Sequence, residues 1–318
     1  MLNNYKYFIQ LAEDLNITQA ATNLFISHQN LSKYLKKLES TYDVKLFTRK
    51  PKFELTYAGQ ILLENFKRIE VIESNLHSKM AGLKDGKTGE IRIGTTEGRL
   101  RLFMPDLIHK FKEIYPNVEL RIVGTKTQEL IQMIENNKID LAIIGGYENV
   151  MPNFHYDVIL SERLYLIISD SMLEKYFPET YQEDKETFKS GVDLRLFSGV
   201  PFVLNYPGFS SRSVIDRHLL KLGITLNCID EVSAMDLHHL ITAKGYAASF
   251  GWTMYLPDIW RHNSSSTASK LNIFPITGLQ ETHPIAITYI KDRVFPDYTY
   301  TAINIIKKLC EYYHNLDL

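Results

Sequence analysis

Residues 27–39 read SHQNLSKYLKKLE. Leu31, Tyr34, Leu35 and Leu38 fall at i, i+3, i+4 and i+7, one stripe of a helix. The opposite side opens with His28, Gln29 and Asn30 and continues through Ser32, Lys33, Lys36 and Lys37. A helix with polar side chains at its start and lysines behind them is suited to an anionic partner whose edges are read. Ser27 stands where an N-cap belongs, its oxygen placed to accept from the Asn30 N–H.

Upstream, Tyr5, Phe8, Ile9 and Ala12 repeat the helical stripe. Thr18 is the expected cap of a short second helix whose Ala20, Ala21, Leu24 and Phe25 face inward. Two short helices joined by so tight a turn form a helix-turn-helix, whose second helix can enter the major groove. Downstream, VKLF (44–47) and FELT (53–56) alternate as strands around the basic loop TRKPK, a hairpin wing carrying Arg49, Lys50 and Lys52. Lysine and arginine there would contact phosphate. Gln29 and Asn30 suit bidentate contacts with adenine, and Lys33 can reach guanine. Polar residues in a first helical turn are common without any such role. The turn, the basic face and the wing together favour DNA.

The charge balance agrees. The 318 residues carry a net charge of −1, yet residues 1–88 carry +4 and the remainder −5. Residues 27–52 hold seven basic residues against Glu39 and Asp43. A basic segment on an acidic body is a mark of nucleic-acid-binding modules. Cys228 and Cys310 fit no metal or redox spacing and suggest a reducing cytosol. The start, MLNNYKYF, lacks a signal-peptide pattern, and no apolar run approaches the ~20 residues that span a bilayer. A cytoplasmic protein is expected.

Thr56 can cap a further helix running to about Leu83. Its Leu62, Phe66, Ile69, Leu76, Met80 and Leu83 take alternating steps of four and three, with Glu73 the polar member. Such a seam is expected to pair with a second copy. KDGKTGE, with Gly86 and Gly89, then marks a hinge.

From residue 90 strands and helices alternate. EIRIGTT, VELRIVG and IDLAIIGG read as strands with helices between; VPFVLNY, TLNCIDEVS and GYAASFGW form a second series. Two βαβαβ modules imply two α/β lobes with parallel sheets. RLYLIISD (163–170) and residues 267–276 are the expected crossovers, and HPIAITYI with the last helix returns to the first lobe. Ligands of such sheets bind beyond the carboxyl ends of strands. Those places hold Thr95, Thr96, Glu97, Thr125, Lys126, Thr127 and Gly146 in one lobe. In the other they hold Asn205, Ser210, Ser233 and Phe250. Each hydroxyl is also an ordinary helix cap; their convergence on one cleft is what suggests a ligand.

Catalytic motifs are missing. His238 and His239 are adjacent and so make a poor metal pair, GTTEG is neither a P-loop nor a dinucleotide fingerprint, and no G-x-S-x-G elbow occurs. No catalytic residue, metal site or cofactor is assigned. The competing reading is an α/β solute-binding protein or enzyme with an N-terminal assembly module, which would not need a basic recognition helix and wing.

YFIQLAEDLNITQAATNLFISHQNLSKYLKKLESTYDVKLFTR followed by LTYAG resembles the LysR-type family of bacterial transcriptional regulators. The family pattern is met at Tyr7, Phe8, Ala20, Ala21, Leu24, Ser27, Leu31, Ser32, Leu38, Glu39, Leu46, Phe47, Arg49, Leu55, Thr56, Ala58 and Gly59. GEIRIGTT, MPDLIHKFKEIYPNVELRIV and IDLAI extend the likeness more loosely. The chain departs from the pattern at His28, Gln29 and Asn30, where Gln, then Pro or a small residue, then Ala are common, and at Lys33, where Arg is common.

The resemblance implies an N-terminal winged helix-turn-helix (mainly α) joined by a long linker helix to a two-lobed α/β effector domain of periplasmic-binding-protein type. The expected divisions are residues 1–58, 59–88 and 89–318, with lobe 1 about 89–162 and 268–318 and lobe 2 about 163–267. It also implies a homodimer through the linker helix or a homotetramer, duplex DNA and RNA polymerase as partners, and a small-molecule effector between the lobes. Family ligands are often anions. Glu97 beside Arg99, with Glu148 after GGY, would also suit a zwitterion such as an amino acid.

Overall fold

The computed structural model describes residues 4–48, 52–82, 88–146, 152–265, 269–314 and 316. The chain divides into two compact units, one dominated by the helices up to Gly82 and the other by the α/β part that follows.

The first unit opens with α1 (Tyr5–Asp14), α2 (Ile17–Asn23) and α3 (His28–Tyr42). Phe8, Leu11, Ala20, Ala21, Leu31 and Leu35 form its core. Asn16, not Thr18, caps α2: its side-chain oxygen accepts from the Thr18 and Gln19 N–H groups at 2.9 and 3.1 Å. Thr18 stands exposed two residues further in. Phe25 departs from the expected inward face; it is 96% exposed, whereas Leu24 and Ile26 on either side pack on the core. The amphipathic pattern ends with the helix, because the backbone reverses at Phe25 with φ of 54°.

The wing is shorter than its apolar alternation suggests. Among the described residues, only β1 (Phe47–Thr48) and β2 (Glu54–Leu55) pair here, antiparallel, with Phe47 stacked on Phe53 at 4.6 Å. Arg49 and Lys50 lie outside the described residues. Then α4 runs from Tyr57 to Gly82, its start capped by the Thr56 hydroxyl, which accepts from the Gly59 N–H and donates to the Lys45 carbonyl.

The expected seam of α4 is partly spent within this unit. Phe66 meets the rings of Tyr5 and Phe8, Leu62 packs on the same core, and Glu73 accepts from the Tyr5 hydroxyl at 2.5 Å and pairs with Lys6. Ile72 (66% exposed) and Leu76 are left in solvent, with Tyr57 and Ile61 nearer the start. The Met80 side chain and Leu83 lie outside the described residues.

The second unit begins with β3 (Gly89–Thr95), α5 (Glu97–Ile114), β4 (Val118–Gly124), α6 (Thr127–Glu135), β5 (Leu141–Gly145) and β6 (Phe154–Glu162). The chain then passes into β7 (Leu164–Ser169), α7 (Asp170–Tyr176), α8 (Tyr181–Phe188), β8 (Pro201–Leu204), α9 (Ser210–Leu222), β9 (Asn227–Glu231), α10 (Met235–Ala243), β10 (Ser249–Trp252), α11 (Leu256–Ser265) and β11 (Leu271–Pro275). β12 (His283–Ile290) and α12 (Asp297–His314) return to the first lobe, where α12 packs on α5 and β6.

The sheets are mixed rather than parallel. In the first lobe the order is β4-β3-β5-β12-β6, with β3 parallel to β4 and β5 but β12 antiparallel to both of its neighbours. In the second, β7 is the centre of an antiparallel β10-β7-β11 sheet, while β8 and β9 pair in parallel. Both expected crossovers are therefore strands of lobe 2. RLYLIISD is its buried middle strand, and β11 lies along it. The true passages are Glu162–Arg163 and the segment between Pro275 and His283, so lobe 2 takes in β11. A buried strand and a crossover look alike as short apolar runs; only pairing distinguishes them.

Candidate nucleic-acid interface and interlobe site

The start of α3 is built to face outward. The Ser27 hydroxyl accepts from the Asn30 N–H at 3.2 Å, as its position suggests. Leu31 and Leu35 are buried, and Tyr34 meets Tyr7 edge-on at 5.6 Å. The opposite side presents His28, Gln29, Asn30, Lys33, Lys36 and Lys37 to solvent, with Ser32 half-buried. Among the described residues no hydrogen bond or ion pair engages these six exposed side chains. Their hydrogen-bonding capacity is open to a partner. Lys52 is exposed at the wing.

Glu39 has a role its position did not announce. Buried at the far end of α3, it accepts the Leu46 N–H at 3.0 Å and pairs with Lys45 at 3.2 Å. One carboxylate thus fixes the angle between recognition helix and wing. A glutamate eight residues before the start of β1 was the available signal.

In the second unit, α5 begins right after β3, eight residues before Pro105. Thr95 is buried and its hydroxyl donates to the Ile143 carbonyl, so it serves the sheet. The Thr125 N–H donates to the Thr95 carbonyl, and the Thr125 hydroxyl bonds the Glu129 carboxylate. Thr96, Glu97, Thr125, Lys126 and Thr127 do gather at the ends of β3 and β4, with Glu97 beside Gly124. Gly146 follows β5 at φ 90°, its N–H donating to the Pro284 carbonyl. Glu148 lies outside the described residues.

Arg99 does not pair with Glu97, which is exposed. It turns inward at 8% exposure, where Nη2 bonds Glu162 Oε2 at 2.9 Å and Nη1 bonds the Thr96 hydroxyl at 3.1 Å. Glu162, 1% exposed, also accepts the Met254 N–H. Arg99 Nε is buried without a partner. This pair ties α5 to the point where the chain enters lobe 2. Around it the lobes meet closely. A Cβ on Gly98 would strike the Tyr255 hydroxyl, His283 stacks on Trp252 at 5.1 Å, and Arg101 pairs with Asp236 at 2.9 Å. Burial, with Arg99 beside it, pushes the His283 pKa down to about 3; burial pushes that of His239, against Tyr255, down to about 4. Both rings are neutral at pH 7.

The lobe 2 candidates are divided. Asn205 is a brace: its amide donates to the Val232 and Ser233 carbonyls and its oxygen accepts from the Ser211 hydroxyl. A small cavity beside it is lined by Leu204, Asn205, Ser211, Arg212, Met235 and His238. His238 Nε2 bonds the Val232 carbonyl at 2.8 Å, closing the same corner. Ser210 and Ser233 are exposed, whereas Phe250 is buried, stacked on Phe202, and also lines this cavity. Trp252, Tyr255 and His283 were missed as lobe-facing residues. The signals were slight: one of only two tryptophans ends a strand, and a histidine opens one.

Residues 2–60 match the family model of the bacterial regulatory helix-turn-helix protein, lysR family, and residues 84–310 match that of the LysR substrate binding domain. A probable RuBisCO transcriptional regulator of Thalassiosira pseudonana is 26% identical over 259 residues, 78% of this chain and 80% of that protein. A probable nitrogen assimilation transcriptional activator of Synechococcus elongatus is 21% identical, over 78% of this chain and 76% of that protein. Among solved structures, full-length OxyR from Pseudomonas aeruginosa superposes with a TM-score of 0.63 at 16% identity, over 96% of this chain and 97% of that one. CbnR, crystallised in complex with its target DNA, gives 0.53 at 19% identity, over 97% and 99%. With both domain models matched in order along most of its length, the chain belongs to the LysR family of transcriptional regulators, carrying a helix-turn-helix DNA-binding domain followed by an effector-binding domain.

Proposed function

We propose that this regulator reads its DNA through the first turn of α3, with Gln29 and Asn30 on base edges and Lys33, Lys36, Lys37, Lys52, Arg49 and Lys50 contributing contacts to the duplex. The observation that carries the reading is the row of exposed, unengaged side chains at the start of a helix whose other side is locked into the core. Two copies would present two such helices to an inverted repeat. The exposed Ile72 and Leu76 on α4 offer a surface for pairing them. CbnR, which shares this fold, was crystallised in complex with its target DNA. RNA polymerase is a further partner in this reading, and the cytoplasm its place of action.

The regulatory ligand belongs between the lobes, near the start of α5, where Thr96 and Arg99 meet residues of lobe 2. It is a small molecule with no resident cofactor beside it, and no chemical step is assigned to the protein. Ligand would act by preferring one arrangement of the lobes over another. Gel shifts at rising salt test the DNA reading, since phosphate contacts make affinity fall steeply with salt. Binding that ignores salt would sink it. Melting shifts across a panel of metabolites, repeated with Arg99→Gln, test the ligand reading; a ligand whose shift survives that change lies elsewhere.

A further inference from the structure

α2 ends in a Schellman turn. The Ile26 N–H donates to the Ala21 carbonyl at 3.0 Å and the Phe25 N–H to the Thr22 carbonyl at 3.1 Å. This places Phe25 at the left-handed position just past the helix, with φ of 54°. That position favours glycine, or asparagine, because a Cβ is crowded there. Among the described non-glycine residues with positive φ, Asp43, Asn137 and Asp292 are of tolerant types, and Leu15 is partly covered. Phe25 is an aromatic ring in a strained conformation, 96% exposed, with no core contact in return. Leu24 and Ile26 anchor the turn on either side, so the ring is held out by its flanks. Two residues later comes the Ser27 cap, followed by the exposed His28, Gln29 and Asn30.

Strain and apolar exposure at one residue, beside the start of the recognition helix, point to a use at that surface. Resting on the DNA reading above, we propose that Phe25 is a direct DNA contact, laying its ring against an apolar edge of the duplex beside the first turn of α3. Duplex DNA offers such edges in two places, the C5-methyl group of thymine in the major groove and the C–H face of deoxyribose. Covering the ring removes apolar surface from water, which the lysines of α3 cannot do.

The test uses the full chain and a duplex enriched by the unmodified protein from a random-sequence library. Phe25→Gly and Phe25→Asn should bind that duplex about tenfold more weakly, with melting temperatures no lower than the parent's. Phe25→Tyr, which keeps the ring, should bind nearly as the parent does. Replacing thymines one at a time by deoxyuridine separates the two edges. A methyl contact makes one replacement weaken the parent but not Phe25→Gly. A deoxyribose contact leaves every replacement without that difference, and Phe25→Gly loses affinity equally on unrelated duplexes. Glycine and asparagine variants that bind as tightly as the parent would overturn the contact while leaving the DNA reading intact. So would a loss of binding matched by a fall in melting temperature, which would make the ring structural. A parent that enriches no duplex overturns the DNA reading itself, and this contact with it.

Discussion

At the scale of single residues, recognition rests on a division of labour along α3. Lys36 lies about two turns behind Gln29 and offers a point charge, which suits phosphate. Lys36→Ala should weaken binding to all duplexes about equally and lower the salt slope by about one. Parallel titrations on related and unrelated DNA would show it. Glu39 acts differently. Its buried carboxylate holds the Leu46 N–H, so Glu39→Ala leaves that donor unpaired and should cost about 1–3 kcal/mol of stability in the first unit, read by thermal melting. The sequence made the outward residues legible because the inner stripe of Leu31 and Leu35 fixes the helix's rotation. It did not make Phe25 legible, since a helical pattern extrapolated past Asn23 places that ring inside. The reversal of the backbone is what sends it out.

At the scale of elements, α4 shows why an apolar seam is ambiguous. Leu62 and Phe66 satisfy the coiled-coil spacing, yet they close the core over α1, with Glu73 held by Tyr5 and Lys6. The unspent residues are Ile72 and Leu76. The double change Ile72→Glu and Leu76→Glu should shift the protein towards monomer without unfolding the first unit, as sedimentation and circular dichroism would report. Leu62→Ala should instead lower its melting temperature. Periodicity locates a helix and its apolar side; it does not say which partner that side meets. The strands carry the same lesson. β7 and β11 were read as crossovers because a short apolar run looks the same in either role, and the antiparallel pairing that settles it joins residues about a hundred positions apart.

At the scale of the whole molecule, the second unit joins its lobes through the buried, neutral His283–Trp252 stack and the exposed Arg101–Asp236 ion pair. The buried ion pair of Arg99 with Glu162, at the end of lobe 1 where the chain passes into lobe 2, stands beside His283, which stacks on Trp252. The folded pKa of about 3 for His283 and about 4 for His239 lies below their ordinary value of 6.5. The unfolded chain therefore binds more protons between those values. Stability from these groups is fully present above about pH 6.5 and is lost as pH falls towards the folded values. Melting of the protein at pH 7.5 and pH 5 should show the loss, and His283→Phe should reduce it. The cleft-facing set was only half legible beforehand. Hydroxyls at strand ends, and Arg99 near the cleft mouth, could be found by position, whereas Trp252, Tyr255 and His283 depend on how two lobes close on each other. The claim that organises the rest is that α3 reads base edges with the residues where this chain departs from its family. Its most direct measurement is the preferred duplex of the parent and of Gln29→Ala, selected from one random-sequence library. A changed preference at one or two positions, with overall phosphate-driven affinity kept, is the expected result. An unchanged preference with uniformly weaker binding would contradict it.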